Sequence, residues 1–153
     1  MSFDLKNTVL GEALKRTNAI KSPIVWRRVF SDPRFQKWIL DLIRKDQLFE
    51  AGVDENGEII GFYSPVTEAI NPIKKAGTPY TLFDTGEFYK SMVILLGTNF
   101  FEIDADPIKD NDNLFEKYGE GIIGLTEASR EKLRFETQRR YRIELRKLLH
   151  INK

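Results

Sequence analysis

The chain has 153 residues, 41% of them hydrophobic and 31% charged, with 24 Lys and Arg against 23 Asp and Glu and a formal charge of +1. This length suits one domain that buries about 70% of its unfolded surface, and the charge balance gives no global argument for a polyanion or a membrane as partner. Cys is absent and His occurs once, at His150, which excludes disulfides and thiolate chemistry and argues against a His-based zinc site or a Ser-His-Asp triad. No apolar leader opens the chain and no run approaches the ~18 apolar residues of a membrane span, so the sequence reads as made in a reducing cytoplasm.

Leu5, Val9, Ala13 and Ile20 recur near one face, with Leu10 and Leu14 beside them, and predict a helix over Ser2 to Ile20. Ser22-Pro23 breaks it. Ile24 to Phe30 is a short segment, apolar and basic at once. Ser31-Asp32-Pro33 marks a helix start, with a capping residue followed by Pro at the first helical position. Phe35, Trp38, Ile39, Leu42 and Ile43 carry that helix to about Phe49, and Trp26 and Trp38 are expected in the core.

Asn56-Gly57 between Val53 and Tyr63 predicts a hairpin with a tight primed turn. Ser64 to Thr78 reads as a long loop, flexible or ordered by a partner to about position 79, a length that in a small domain usually serves a function. The stretch from Thr81 to Met92 reads as a strand or extended arm ending at Phe83, a sharp turn, and a short amphipathic helix. Asp84 or Thr85 would cap that helix, Gly86 would permit the turn, and Phe88 and Met92 would share its buried face.

Val93 to Leu96 and Phe100 to Ala105, joined by Gly97-Thr98-Asn99, predict a second hairpin. Phe101, Ile103 and Ala105 alternate with Glu102, Asp104 and Asp106, so one face of the second strand is wet. Ile108 to Asn113 reads as a polar acidic loop. Leu114 to Gly119 reads as a short helix closed by its Gly, and Gly121 to Gly124 as an apolar link. Thr126 caps a last helix running to about Leu149, whose apolar residues form no single stripe, the pattern of a helix with contacts on more than one side. Between Glu102 and Glu120 seven acids face two Lys. Between Arg130 and Lys153 nine Lys and Arg face three Glu. That polarity suits contact between copies.

Three pieces in this order resemble the virion morphogenesis and tail-completion proteins of tailed bacteriophages. Thr85, Gly86, Phe88 and Ser91, preceded by Asp84, occupy a Thr-Gly-x-Leu-x-x-Ser element. Tyr118 and Gly119 end a second short element. Gly124, Leu125 and Thr126 fill a Leu-Gly-Leu-Ser element before a C-terminal helix. Glu120-Gly121-Ile122 stands where that family has an Arg-Pro-aromatic turn. The resemblance covers about Thr81 to Leu149. It implies one α+β domain, with a small antiparallel sheet of two hairpins packed by N-terminal helices and a long C-terminal helix. It further implies a non-enzymatic structural protein of the virion, without cofactor or metal, that forms a homo-oligomeric ring at the neck or upper tail and docks on portal, neck or tail proteins, with no membrane partner.

Asp104, Asp106, Asp110 and Asp112 of one copy are then expected to meet Arg139, Arg140, Arg142 and Arg146 of the next. An alternative is a nucleic-acid binder that uses those arginines and Lys147, with Tyr141 interleaved. An enzyme holding Mg²⁺ on Asp84, Asp104, Asp106, Asp110 and Asp112 is the third class considered, with a solvated acidic face the commoner reason for such a pattern.

Overall fold

Asp32 ends one helix turn and begins another. The computed structural model describes residues 22 to 109 and 111 to 150, so the helix expected over Ser2 to Ile20 and the residue Asp110 lie outside it. The segment after Ser22 is helix α1 (Ser22–Phe30). Asp32 then caps α2 (Pro33–Asp41), its Oδ1 accepting from the Arg34 amide at 2.9 Å with Pro33 in the first turn. Fixed φ at Pro33 and a satisfied first-turn donor explain why the helix begins here.

The helix does not run on as α to Phe49. From Leu42 to Ala51 it is wound as a π-helix of 10 residues. Its buried residues are Leu42, Ile43, Gln47 and Leu48, two pairs spaced by five. Winding by i→i+5 stacks Leu42 near Gln47 and Ile43 near Leu48, where α winding would spread the four around the cylinder. Gly52, at φ 63°, ends the segment in the left-handed region.

The Asn56-Gly57 turn closes on one antiparallel bridge, Val53 to Ile59, and no strands extend from it. Asp54 Oδ1 accepts from the Asn56 and Glu58 amides inside the turn, and two backbone bonds cross between the limbs, from Asp54 N to Glu58 O and from Ile60 N to Gly52 O. The expected loop over 64 to 78 contains a helix, α3 (Pro65–Ile70), whose N-cap Ser64 accepts from the Thr67 amide. Ser-Pro is the same start signal as Asp32-Pro33.

Residues 80 to 83 form no strand running into the turn. Helix α4 (Glu87–Ser91) follows a turn in which Gly86 itself, at φ 80°, stands at the N-cap, and neither Asp84 nor Thr85 supplies a helix cap. The Thr85 hydroxyl accepts from the Glu87 amide at 3.4 Å, one residue short of the usual cap. Phe88 and Met92 are buried as expected, whereas Phe83 lies at the surface, edge-on to Tyr89 and Phe49.

Two antiparallel hairpins form the strand content. β1 (Val93–Leu96) pairs with β2 (Phe101–Asp104), in register Val93 to Asp104 and Leu95 to Glu102. The second hairpin is not at 53 to 63. It joins β3 (Ile108–Lys109) to β4 (Asp112–Asn113), within the stretch read as an acidic loop. Helix α5 (Leu114–Tyr118) starts at Asn113, whose Oδ1 accepts from the Phe115 and Glu116 amides, and Gly119 ends it. A 3-10 turn (Glu120–Ile123) leads to α6 (Glu127–Leu149), capped by Thr126, whose hydroxyl oxygen accepts from the Ser129 amide.

The core is two adjoining clusters. One gathers Ile43, Leu48, Phe88, Met92, Leu114, Ile122 and Leu125; the other gathers Val29, Phe30, Phe35 and Ile39. Ile94, Ile103 and Leu133 pack against both, and Trp26 and Trp38 line the second. The fold is therefore α+β, with the sheet held between the N-terminal helices and α6.

A buried amide ties the halves together. Gln47 is 3% exposed. Its Nε2 donates to the Gly124 carbonyl at 2.9 Å and its Oε1 accepts from the Thr126 amide at 3.0 Å. Gln47→Leu strands both backbone groups in a dry site, and an equilibrium denaturation curve is expected to show a loss of roughly 2–4 kcal/mol. At Gly86 a Cβ would stand 3.1 Å from the Phe83 ring in a left-handed backbone. Gly86→Val is expected to lower stability by about 2–3 kcal/mol in the same measurement, and a fully stable variant would contradict the strained turn.

Candidate functional site

Residues 61 to 84 form a strap. Its two limbs are bonded together: Tyr63 donates to Thr78 O and Gly77 to Tyr63 O, Tyr80 donates to Gly61 O, and Phe62 bridges Pro79. The tip is clamped from within, since Glu68 accepts from Lys75 Nζ and from the Ala76 amide, both at 2.9 Å. On this ordered tip Val66, Ile70 and Ile73 are 69%, 81% and 90% exposed. Burying such side chains is worth about 1.5–3 kcal/mol each, and here that stabilisation is left unused.

Beneath the strap lies a cleft of about 290 Å³ walled by Tyr63, Tyr80 and Tyr118. Lys74, Lys109 and Lys117 stand at its rim. Lys74 and Lys109 share one carboxylate, Asp84, at 3.0 and 3.2 Å. Lys117 lies over the Tyr118 ring and 3.5 Å from Asp112. The hydrogen bond from Lys74, then that from Lys109, holds the Asp84 carboxyl below its ordinary pKa.

A second surface is the outer face of the β1–β2 hairpin. Val93, Leu95, Glu102 and Asp104 all point outward, two apolar residues set across from two carboxylates. Among the described residues neither Glu102 nor Asp104 has an ion-pair partner; Asp104 accepts only from the Ala105 amide. Asp106 is likewise turned to its own chain, accepting from Ile108 N, while its amide donates to Ser91 Oγ.

A third surface is the outer side of α6. Its inner side is set by Leu133 and Tyr141, which pack on the core. Arg140 belongs to that inner side. It is bonded to Asp32 at 2.8 Å and to Glu136 at 2.7 Å, and its guanidinium stacks 4.4 Å above the Phe35 ring. It fastens α6 to the cap of α2. Arg139 shares Glu136, and Lys147 pairs with Glu144. Phe135, Arg139, Arg142 and Arg146 then form an outward stripe at three- and four-residue spacing, with Phe135 73% exposed and with Arg142 and Arg146 lacking an ion-pair partner among the described residues.

The three motif pieces converge. Phe88, Leu114, Ile122 and Leu125 meet in one cluster, Tyr118 lines the cleft, Gly119 turns at φ 81°, and Gly124 and Thr126 receive Gln47. Ser91 ties α4 to the chain leaving β2. Their contacts are those of a frame, with no reactive side chain presented. The acids weighed as metal ligands do not converge: Asp84 is held by two lysines, Asp112 sits beside Lys117, and Asp104 lies on the sheet face. Among the described residues no group of three or more His, Asp or Glu could hold a cation, and no helix is long and apolar enough to cross a membrane.

Gln47 and the role of Arg140 are not evident in the sequence. A Gln on the apolar side of a helix is the one available signal for the first, and Arg140 looks like any other member of a basic run. No family model matches the chain, and neither a curated protein nor a solved structure is significantly similar to it.

Asp84 has a depressed folded pKa, so the stabilisation from its lysines is present above its unfolded value near 3.9 and disappears as pH falls through the lower folded value. Asp84→Asn is expected to speed amide exchange across residues 74 to 84 at pH 7. The cost is about 0.5–1 kcal/mol, since the carboxylate is partly exposed. Once the pH lies below the lowered folded value, variant and wild type should exchange alike.

Proposed function

We propose that the chain is a non-enzymatic structural protein of a tailed-phage virion, acting at the neck or upper tail by self-association and by docking on neighbouring virion proteins. The observation that carries this reading is the strap. It is internally hydrogen-bonded and clamped, yet it holds Val66, Ile70 and Ile73 in solvent. A monomer gains nothing from such an arrangement, and exposed apolar clusters rimmed by charge are how docking surfaces look. The ordered motif pieces at Asp84 to Ser91, Tyr118-Gly119 and Gly124 to Thr126 support the same reading through the resemblance they carry. So do the two further outward faces, one acidic and one basic.

The alternative reading, a nucleic-acid binder, has Arg142 and Arg146 in its favour. Tyr141 packs on the core side rather than beside them, and Arg140 is already engaged with Asp32 and Glu136. Two unpaired arginines make a short footprint for a phosphate backbone.

The test is made on particles. Ile70→Asp combined with Ile73→Asp removes no hydrogen bond and is expected to leave the melting temperature within about 2 °C of wild type. Purified particles assembled with this variant should carry at least tenfold less of the chain. A chain absent from wild-type particles and monomeric at high concentration would sink the reading. Salt-sensitive shifts of a DNA duplex at 50 mM salt would favour the alternative.

A further inference from the structure

The acidic sheet face and the basic stripe of α6 cannot meet within one copy. Ile94, Phe101 and Ile103 on the inner side of the sheet, and Leu133 and Tyr141 on the inner side of α6, turn onto the same core cluster. Their outer sides therefore point away from a shared centre. Each outer side is also mixed in the same way. The sheet face sets Val93 and Leu95, 45% and 48% exposed, beside Glu102 and Asp104. The helix stripe sets Phe135, 73% exposed, in line with Arg142 and Arg146.

The spacings agree as well as the charges. Glu102 and Asp104 are two residues apart on a strand, about 6.8 Å. Arg142 and Arg146 are four apart on a helix, about 6 Å along its axis. Two carboxylates and two guanidinium groups can thus face each other one to one, and the Arg fork suits a carboxylate.

Resting on the reading of the chain as a self-associating virion protein, we propose that the outer face of the β1–β2 hairpin of one copy docks on the Phe135–Arg146 stripe of α6 of a second copy. The contact is heterologous, since it joins two different surfaces. It leaves a free sheet face at one end of every chain of copies and a free stripe at the other, and it either closes as a ring or continues as a filament. Arg140, Asp112 and the strap take no part in it. The strap stays free for a different protein.

The experiment is a measurement of native mass on the full chain across a range of concentrations. Wild type is expected to assemble. Glu102→Lys with Asp104→Lys, and separately Arg142→Glu with Arg146→Glu, should each give monomers, with apparent affinity weakened on the order of a hundredfold. Mixed in equal amounts, the two variants should recover assemblies containing both. In the mixture each reversed face meets a reversed partner and each untouched face meets an untouched one. Leu95→Lys, which removes no hydrogen bond, replaces the first variant if loss of the Asp104–Ala105 bond harms folding. It too should give monomers by itself.

A wild type that stays monomeric overturns the docking, and if it is also absent from particles the reading beneath it falls too. A wild-type assembly whose mass ignores both reversals overturns the docking alone. So do reversals that dissociate the assembly without recovering it on mixing, because the two faces then meet something other than each other.

Discussion

The fold turns on one buried amide. Gln47 reaches from the π-helical segment to the backbone between the 3-10 turn and α6, and satisfies both a carbonyl and an amide there. Its partners lie 77 and 79 residues away in sequence. The other buried polar side chain described nearby, Ser129, is bonded to the Thr126 hydroxyl instead. A buried carbonyl and amide left without partners are costly, and an amide side chain carries its donor and its acceptor on separate atoms, so it can serve both at once. The contact thus fixes where α6 begins. Thr126 can cap the helix only because its own amide is already held.

The π winding and this amide are one arrangement. Rotating Leu42–Ala51 into α geometry would carry Gln47 away from Leu42 and out of the core. Arg44, on the same segment, donates to the Met92 carbonyl at 2.6 Å, which fastens the end of α4 and the start of β1. Burial pulls the Arg44 pKa down. Two polar side chains from one unusual helix therefore hold the start of the sheet and the start of the last helix. An ion pair, Arg140 to Asp32, fastens α6 to the cap of α2.

Local signals in the sequence carry much of this. Asp32-Pro33 and Thr126 each announce a helix, Gly119 closes another, and the alternation from Phe101 to Asp104 announces a strand with one wet face. The α+β class follows from them. What the sequence does not disclose depends on distance or on competition. The hairpin at Asn56-Gly57 stays at one bridge, with Asp54 holding two amides inside its turn. Ser64-Pro65 opens a helix inside a segment whose Pro and Gly content suggests only a loop. In the basic run of α6, the division of Arg140 inward and Arg142 and Arg146 outward is a matter of helical phase. That phase is blurred in the sequence because apolar residues are scattered around the whole cylinder. At Asp84, the expected helix cap is instead a shared counter-ion for Lys74 and Lys109, which come from elements far apart in the chain.

The strap leaves and rejoins the frame at almost one point, since Tyr63 is bonded to both Gly77 and Thr78. Everything between those bonds is a closed detour, closed by backbone groups and tied to the frame outside it by the Lys74–Asp84 ion pair. Lengthening such a detour changes its closure entropy only with the logarithm of its length, about 0.6 kcal/mol per doubling. The tip can therefore be rewritten residue by residue, or replaced outright, while the sheet, the buried amide and α6 stay as they are. What the tip presents to solvent is thus separable from what holds the protein together, and its surface can change without disturbing the frame.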